Sequence, residues 1–416
     1  MTTPHVPLRP VPVNGIETGL SNLWREAAAG SLAAGGTVVA RNCALTLVVF
    51  TGVEGNASSV VREVEQVSGQ YAMRAIVLRS LGHMPKDTTV ASQIGITQRD
   101  DQSGSTHGEV IMITTEPDQA TLLPGTVLPL ILAEQPSFLL WTGEPPWRSD
   151  LFESLVDGCD RLIIDTSDSR NAEKALVALN DLQRRKHNAC IVTDLNWTRL
   201  SPWTELMAQF FDTQDLRPYL GAIDRLTIEY AADTDDSIGN SAQAYLFAGW
   251  MASRLNWETS GQPPAPAAGG GRGHTALGNG VRIQIELLPR PGVPQGSWLD
   301  VLGKRRASDG SFARSSPGIG AISQVGFGAL MSVHVHAKLN GQDGVFAIAR
   351  EQDLWHASTH CSAGQVYPAH TVSLGALGEM FSIEQQLREL YPDQLFEESL
   401  SAAARILGPH GVRRTP

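Results

Sequence analysis

Between residues 137 and 231 the chain alternates short apolar runs with longer amphipathic ones, and this alternation restricts its fold more than any other feature. SFLLWTG (137–143), RLIIDT (161–166), ACIVTD (189–194) and DRLTIEYA (224–231) are of strand length, while 148–156, 171–185 and 202–211 carry apolar residues at helical spacing. Apolar strands separated by helices predict a mostly parallel sheet covered on both faces, because the crossover helices have to pack on it. Upstream, ALTLVVF (44–50) and RAIVLRS (74–80) flank a helical pattern over 58–68 and make a first βαβ unit. A helix over 16–34 precedes it, and 118–134 reads as a further helix. TVASQIGIT (89–97) and GEVIMITT (108–115) are predicted to extend the sheet antiparallel, joined by a polar hairpin or loop.

The predicted fold class is α/β, a mostly parallel doubly wound sheet in the N-terminal and central regions with a smaller α+β C-terminal region. The expected division is 1–145, 146–257, a Pro/Gly-rich linker or loop over 258–280, and 281–416. In the last region VRIQIELLP (281–289), ALMSVHVHAKL (329–339) and GVFAIARE (344–351) alternate as half-exposed strands, with Asn340-Gly341 at a hairpin position. The C-terminus is predicted helical around Pro392, with a capping-box pattern at Ser382 and Gln385.

The formal charge of −11 argues against nucleic acid or an anionic membrane as a main partner. The four cysteines, Cys43, Cys159, Cys190 and Cys361, show no C-x-x-C spacing and are expected as free thiols of a cytoplasmic protein. The N-terminus lacks the order of a signal peptide, and no apolar run is long enough to span a membrane.

A strand ending at Asp194 and handing over to a helix is where open α/β sheets place ligands, so CIVTDLNWTRLSPWTELMAQFF (190–211) is the first stretch to test for chemistry. Ser201 is positioned to cap that helix, with Pro202 in its first turn. Asp165, Asp168, Asp194 and Asp212 either converge at the carboxyl edge of the sheet or act as caps and turn formers. Arg74, Arg79 and His83 flank a strand and could hold an anion. His334 and His336 share a strand face and, with His356, His360 and Cys361, are the metal-ligand candidates, though no carboxylate or paired-Cys motif accompanies them. GGGRG (269–273), GIGAIS (318–323) and Gly303-Lys304 fail the nucleotide-loop patterns, and no G-x-S-x-G elbow is present. No cofactor site, metal site or complete catalytic set can be named.

SGQYAMRAIVL (68–78), LPGTVLPLILAEQPSFLLWTGEPP (123–146), DRLIIDTSD (160–168), TDLNWTRLSPWTELMAQFFD (193–212) and AQAYLFAGWMASRLNW (242–257) resemble, in order, the OpcA family of bacterial glucose-6-phosphate dehydrogenase assembly proteins. The resemblance implies a non-enzymatic partner of glucose-6-phosphate dehydrogenase that raises its activity in the oxidative pentose phosphate pathway. Trp141, Trp147, Trp197, Arg199 and Trp257 stand near element ends and are the candidate partner contacts. Two other readings remain open: a metal-dependent hydrolase or transferase using His334, His336 and His360, and a sugar-phosphate sensor using the strand-end Asp and Arg groups.

Overall fold

The computed structural model describes residues 7–33, 41–51, 67, 71–80, 84, 89–101, 104–187, 189–233, 239–259, 264–267, 270–296, 324–374, 381–389 and 391–408. The chain divides into two compact units, the first comprising Met1–Ile164 with Lys186–Val192 and the second Asp165–Arg185 with Thr193–Pro416. The helix expected over 58–68 lies outside the described residues except for Val67.

The first unit is built from β1 (Arg9–Val11), α1 (Ile16–Ala33), β2 (Leu45–Phe50), β3 (Met73–Ser80), β4 (Val90–Asp101), β5 (Gly104–Thr115), α2 (Leu123–Val127), β6 (Ser137–Trp141), α3 (Asp150–Asp157) and β7 (Arg161–Ile164). With β8 (Ile191–Asp194), whose first two residues belong here, the strands form one sheet in the order β1-β4-β5-β3-β2-β6-β7-β8. The pairs from β5 through β7 are parallel. Strands β2, β6 and β7 are buried along their whole length, as expected of strands covered on both faces. The predicted β4–β5 hairpin is present, antiparallel within itself, and its backbone pairing continues to Asp101 opposite Gly104, so of the hairpin or loop expected for the polar stretch it is the hairpin that extends through much of it.

The helix expected over 118–134 is broken into a 3-10 turn at Pro117–Leu122, α2, and a second 3-10 turn at Leu128–Leu130. Pro124 and Pro129 cause this, since each lacks the N–H that a continuous helix needs and crowds the turn before it.

The second unit contains α4 (Ala172–Lys186), of which all but Lys186 belongs here, α5 (Leu195–Thr198), α6 (Ser201–Phe210), β9 (Ile223–Ala232), α7 (Ala242–Arg254), and β10 (Glu258–Thr259). It continues through β11 (Ala265–Pro266), β12 (Arg272–Gly278), β13 (Val281–Pro291), β14 (Gln295–Gly296), β15 (Val325–Gly326), β16 (Leu330–Leu339) and β17 (Gln342–Arg350). The chain then forms β18 (His356–Ala363), β19 (Val366–Tyr367), β20 (Thr371–Ser373), α8 (Phe381–Arg388) and α9 (Gln394–Leu407). Its main sheet runs β10-β12-β13-β9-β16-β17-β18-β19. The β16–β17 hairpin turns at Asn340-Gly341, both with positive φ (52° and 80°), the conformation that lets a two-residue turn follow the twist of its strands.

Two further features depart from the sequence reading. Strand β9 pairs parallel with β13 and antiparallel with β16, so it belongs to the second sheet rather than to the alternating series that precedes it. Its alternating burial, unlike the fully buried β6 and β7, is the sign of a sheet with one open face. The 258–280 tract, expected as a linker or loop, carries β10, β11 and the seven-residue β12, which pairs with β13 from Arg272 to Gly278. The alternation His274, Ala276, Gly278 buried against Thr275 and Leu277 exposed satisfies a sheet face despite the low apolar content.

Candidate functional site

Strand β8 ends at Asp194, whose side chain accepts from the Asn196 N–H (2.9 Å) and so starts α5. The same carboxylate, fully buried, also accepts from the Thr166 N–H (3.0 Å) and the Thr166 hydroxyl (2.6 Å). Asn196 donates to the Thr166 hydroxyl (3.2 Å) and accepts from Gln243 of α7 (2.8 Å), whose own carbonyl takes the Leu330 N–H of β16 (3.1 Å). Asn240 donates to the carbonyls of Thr166, Ser167 and Ser169 and accepts from Ala242 N–H at the start of α7. One step outward, Arg199 grips Asp165 with both nitrogens (2.9 and 2.6 Å), and the pair is 7% and 13% exposed.

The strand-end carboxylates therefore divide in role. Asp165 and Asp194 lie close enough for the charge of one to act on the other, and each also caps a turn. Asp168 closes the short turn begun by Asp165, and Asp212 is exposed beyond the end of α6. Burial would raise Asp165, but the adjacent Arg199 together with the hydrogen bonds from Ser167 holds its carboxyl below the ordinary value. Burial and the Asp165 charge together push Asp194 up to about 7 from 3.8, against the hydrogen bonds from Thr166 and Asn196.

A raised folded-state value makes the folded protein bind the extra proton between pH 3.8 and about 7, so this group's contribution to stability falls as pH rises through that window. In Asp194→Asn the side chain is neutral throughout and can keep the three contacts by donating to the Thr166 hydroxyl oxygen. Urea unfolding at a series of pH values is expected to show the variant gaining on the wild type by at most about 1.4 kcal/mol per pH unit across the window. A stability difference that stays constant from pH 4 to pH 8 would contradict the assignment.

Ser201 does not cap α6. Because α5 runs almost directly into it, Leu200 already has helical angles, and the Ser201 hydroxyl donates back to the Thr198 carbonyl. Pro202 lies in the first turn as predicted, and Trp203, Leu206 and Met207 are buried.

Trp197 is half-buried, and its indole N–H donates to Asp393 (2.8 Å), the residue that also caps α9 through the Phe396 N–H. The turn thus fastens the C-terminal helix, and its ring lies beside Phe396. Trp147 is half-buried, edge-on to Phe152. Trp141 stacks on Phe50 with ring centroids 4.0 Å apart and is 2% exposed, and Trp257 is 5% exposed. These two side chains offer a partner almost no surface.

Arg74 is buried and bonded to Glu109, Glu17 and the Leu130 carbonyl, so its charge is balanced internally. Arg79 donates to the Met112 sulfur, and His83 lies outside the described residues. Among the histidines, His336 is held by Asp224 (2.6 Å) and His356 by Asp353 (2.5 Å), while His334 and His360 flank Ala347 from the two neighbouring strands. No group of three His, Cys, Asp or Glu side chains among the described residues could hold a metal ion. All four cysteines are free, and burial pushes the Cys159 and Cys190 thiols up to about 12. No described helix is long and apolar enough to cross a membrane.

The residues that complete the network, Thr166, Asn240 and Gln243, carried no local signal. Each is recognisable only once α7 and β16 are placed beside the turns at Asp165 and Asp194.

The fold and this turn define an α/β protein of two units whose strand-end acids are engaged by the protein's own donors. Residues 190–400 match the C-terminal domain, and residues 64–181 the N-terminal domain, of the family described as the glucose-6-phosphate dehydrogenase subunit. The chain belongs to this family, the OpcA family. It is 35% identical over 149 residues to an OxPP cycle protein OpcA of Synechocystis sp., covering 36% of this chain and 30% of that protein. It is 29% identical over 283 residues to that of Nostoc punctiforme, covering 68% and 53%. The chain thus spans about half the length, or less, of these curated relatives. Among solved structures it is similar to a 3-ketoreductase of Actinomadura kijaniata (TM-score 0.43, 9% identity, 88% of this chain and 96% of that one). It is also similar to the WlbA dehydrogenase of Thermus thermophilus (TM-score 0.40, 11% identity, 89% and 98%). Likenesses this remote say nothing about activity.

Proposed function

We propose that this chain is an accessory protein that binds glucose-6-phosphate dehydrogenase and raises its activity in the oxidative pentose phosphate pathway, without catalysing a reaction of its own. The observation that carries this reading is the match of both halves to domains described as those of a glucose-6-phosphate dehydrogenase subunit. The strand-end turn supports it: Asp194 accepts three internal hydrogen bonds and Asp165 is clamped by Arg199, so neither is free to act on a substrate. To activate, the protein has to bind one state of the dehydrogenase better than another, since equal affinity shifts nothing.

Mixing the purified protein with its cognate dehydrogenase is expected to lower the apparent KM for the sugar phosphate by about 5-fold or more, the low end of ordinary coupling between sites. Unchanged kinetics at micromolar excess would overturn the proposal. Of the four candidate tryptophans, Trp147 and Trp197 keep accessible surface, and they are the proposed contacts. Trp147→Ala is the cleaner probe and is expected to weaken activation while the protein stays folded. Arg199→Ala is unsuitable, because it strands the mostly buried Asp165 and reports on folding first.

A further inference from the structure

Arg350 ends β17 in the second unit, and its guanidinium is fixed from three directions. Nε donates to the Leu330 carbonyl (3.0 Å), Nη1 to the Leu354 carbonyl (2.5 Å), and the charged plane lies 5.7 Å from the centre of the Trp203 ring. Leu354 reaches this position in a left-handed backbone conformation (φ 65°), which costs a leucine on the order of 1–3 kcal/mol. The side chain of Leu354 packs on Ala231, Val325, Ala329 and Met331, which holds the strained residue in place. Among the described residues, no carboxylate lies within ion-pair distance of Arg350. The nearby acid Asp353 instead takes the Trp355 and His356 N–H groups and the His356 ring. Burial pushes the arginine down to about 10, only partly offset by the charge of Asp353. Among the described residues Nη2 has no protein acceptor, and it is not sealed from solvent.

A part-buried cation held by neutral carbonyls and an aromatic face, with one donor nitrogen unengaged, gains most from an anion arriving at that nitrogen. We propose that Arg350 is the anchor of a binding site for an oxyanion, a phosphate or carboxylate group carried by a small molecule. The site goes beyond the accessory role above and stands independently of it. A purely bracing arginine would be served equally well in the presence or absence of anions; a binding one makes the protein's stability depend on them.

The test is thermal unfolding of the whole chain at fixed pH and ionic strength as chloride is replaced by inorganic phosphate or by acetate. The wild type is expected to show a saturable rise in Tm. Arg350→Met is expected to lose it, and Arg350→Lys to need about tenfold more anion, because a lysine cannot hold the carbonyls and the ligand in one plane. Arg282→Met, an exposed arginine on β13, should retain the wild-type response. Saturation by phosphate alone points to a phosphate ester, and saturation by acetate as well to a carboxylate. No saturable rise with either anion in the wild type overturns the proposal, whether or not Arg350→Met folds. An undiminished response in Arg350→Lys overturns it too.

Discussion

Glu109→Ala is expected to cost the first unit about 3–5 kcal/mol, measured as the shift of its urea unfolding transition. Glu109 is fully buried on β5 and accepts from the Trp24 indole (2.7 Å), Arg41 Nε (2.5 Å) and Arg74 Nε (2.7 Å). Arg74 is itself 3% exposed, and its other contacts are Glu17, which is 51% exposed, and the Leu130 carbonyl. Removing Glu109 leaves Arg74 buried with only a solvent-screened counter-charge and frees the indole N–H that ties α1 to the sheet. Losing one partner of a buried charge set costs far more than losing a surface pair. Glu17→Ala, which takes away the exposed end of the same network, is therefore the control, with an expected loss no larger than about 1 kcal/mol. Equal losses in the two variants would show that burial does not set the strength of this network.

Gly249→Ala sets two effects of opposite sign against each other. Within a helix, alanine is favoured over glycine by about 1 kcal/mol. Gly249, however, lies where α7 meets α9, and a Cβ there would overlap the Ser399 carbonyl oxygen and sit 2.8 Å from the Ala403 nitrogen. Those are backbone atoms of a helix, which cannot move aside as the end of a side chain can, so the two helices would have to part. We expect packing to win, with a net loss of about 2 kcal/mol or more for the second unit. Gly30→Ala separates the terms: Gly30 is exposed on α1 with nothing within 4 Å of its Cβ position. There the propensity acts alone, and a gain of up to about 1 kcal/mol is expected. Destabilisation by both substitutions, or by neither, would contradict the packing argument.

Elements whose cause is local are legible from the residues. Strands β2, β6 and β7 follow from unbroken apolar runs, the β16–β17 hairpin from Asn340-Gly341, and α6 from its aromatic and aliphatic spacing together with Pro202. The α2 region shows the limit of helical spacing as a guide, because Pro124 and Pro129 break the helix that the apolar positions alone would predict. The family is legible too, since the runs from 68–78 to 242–257 occur in order.

What the sequence by itself determined is thus the type of most elements, the α/β class and the kinship of the chain. Tertiary structure alone decided which sheet β9 joins, that β12 turns a Gly-rich tract into a paired strand, and that Trp141 and Trp257 face inward while Trp197 fastens the C-terminal helix. It also decided the meaning of the turn at Asp194, because the charge state of a carboxylate depends on donors as distant in sequence as Thr166 and on the water excluded around it. Periodicity and turn chemistry are set by neighbours along the chain; partner strands, burial and the pairing of charges are set by neighbours in space.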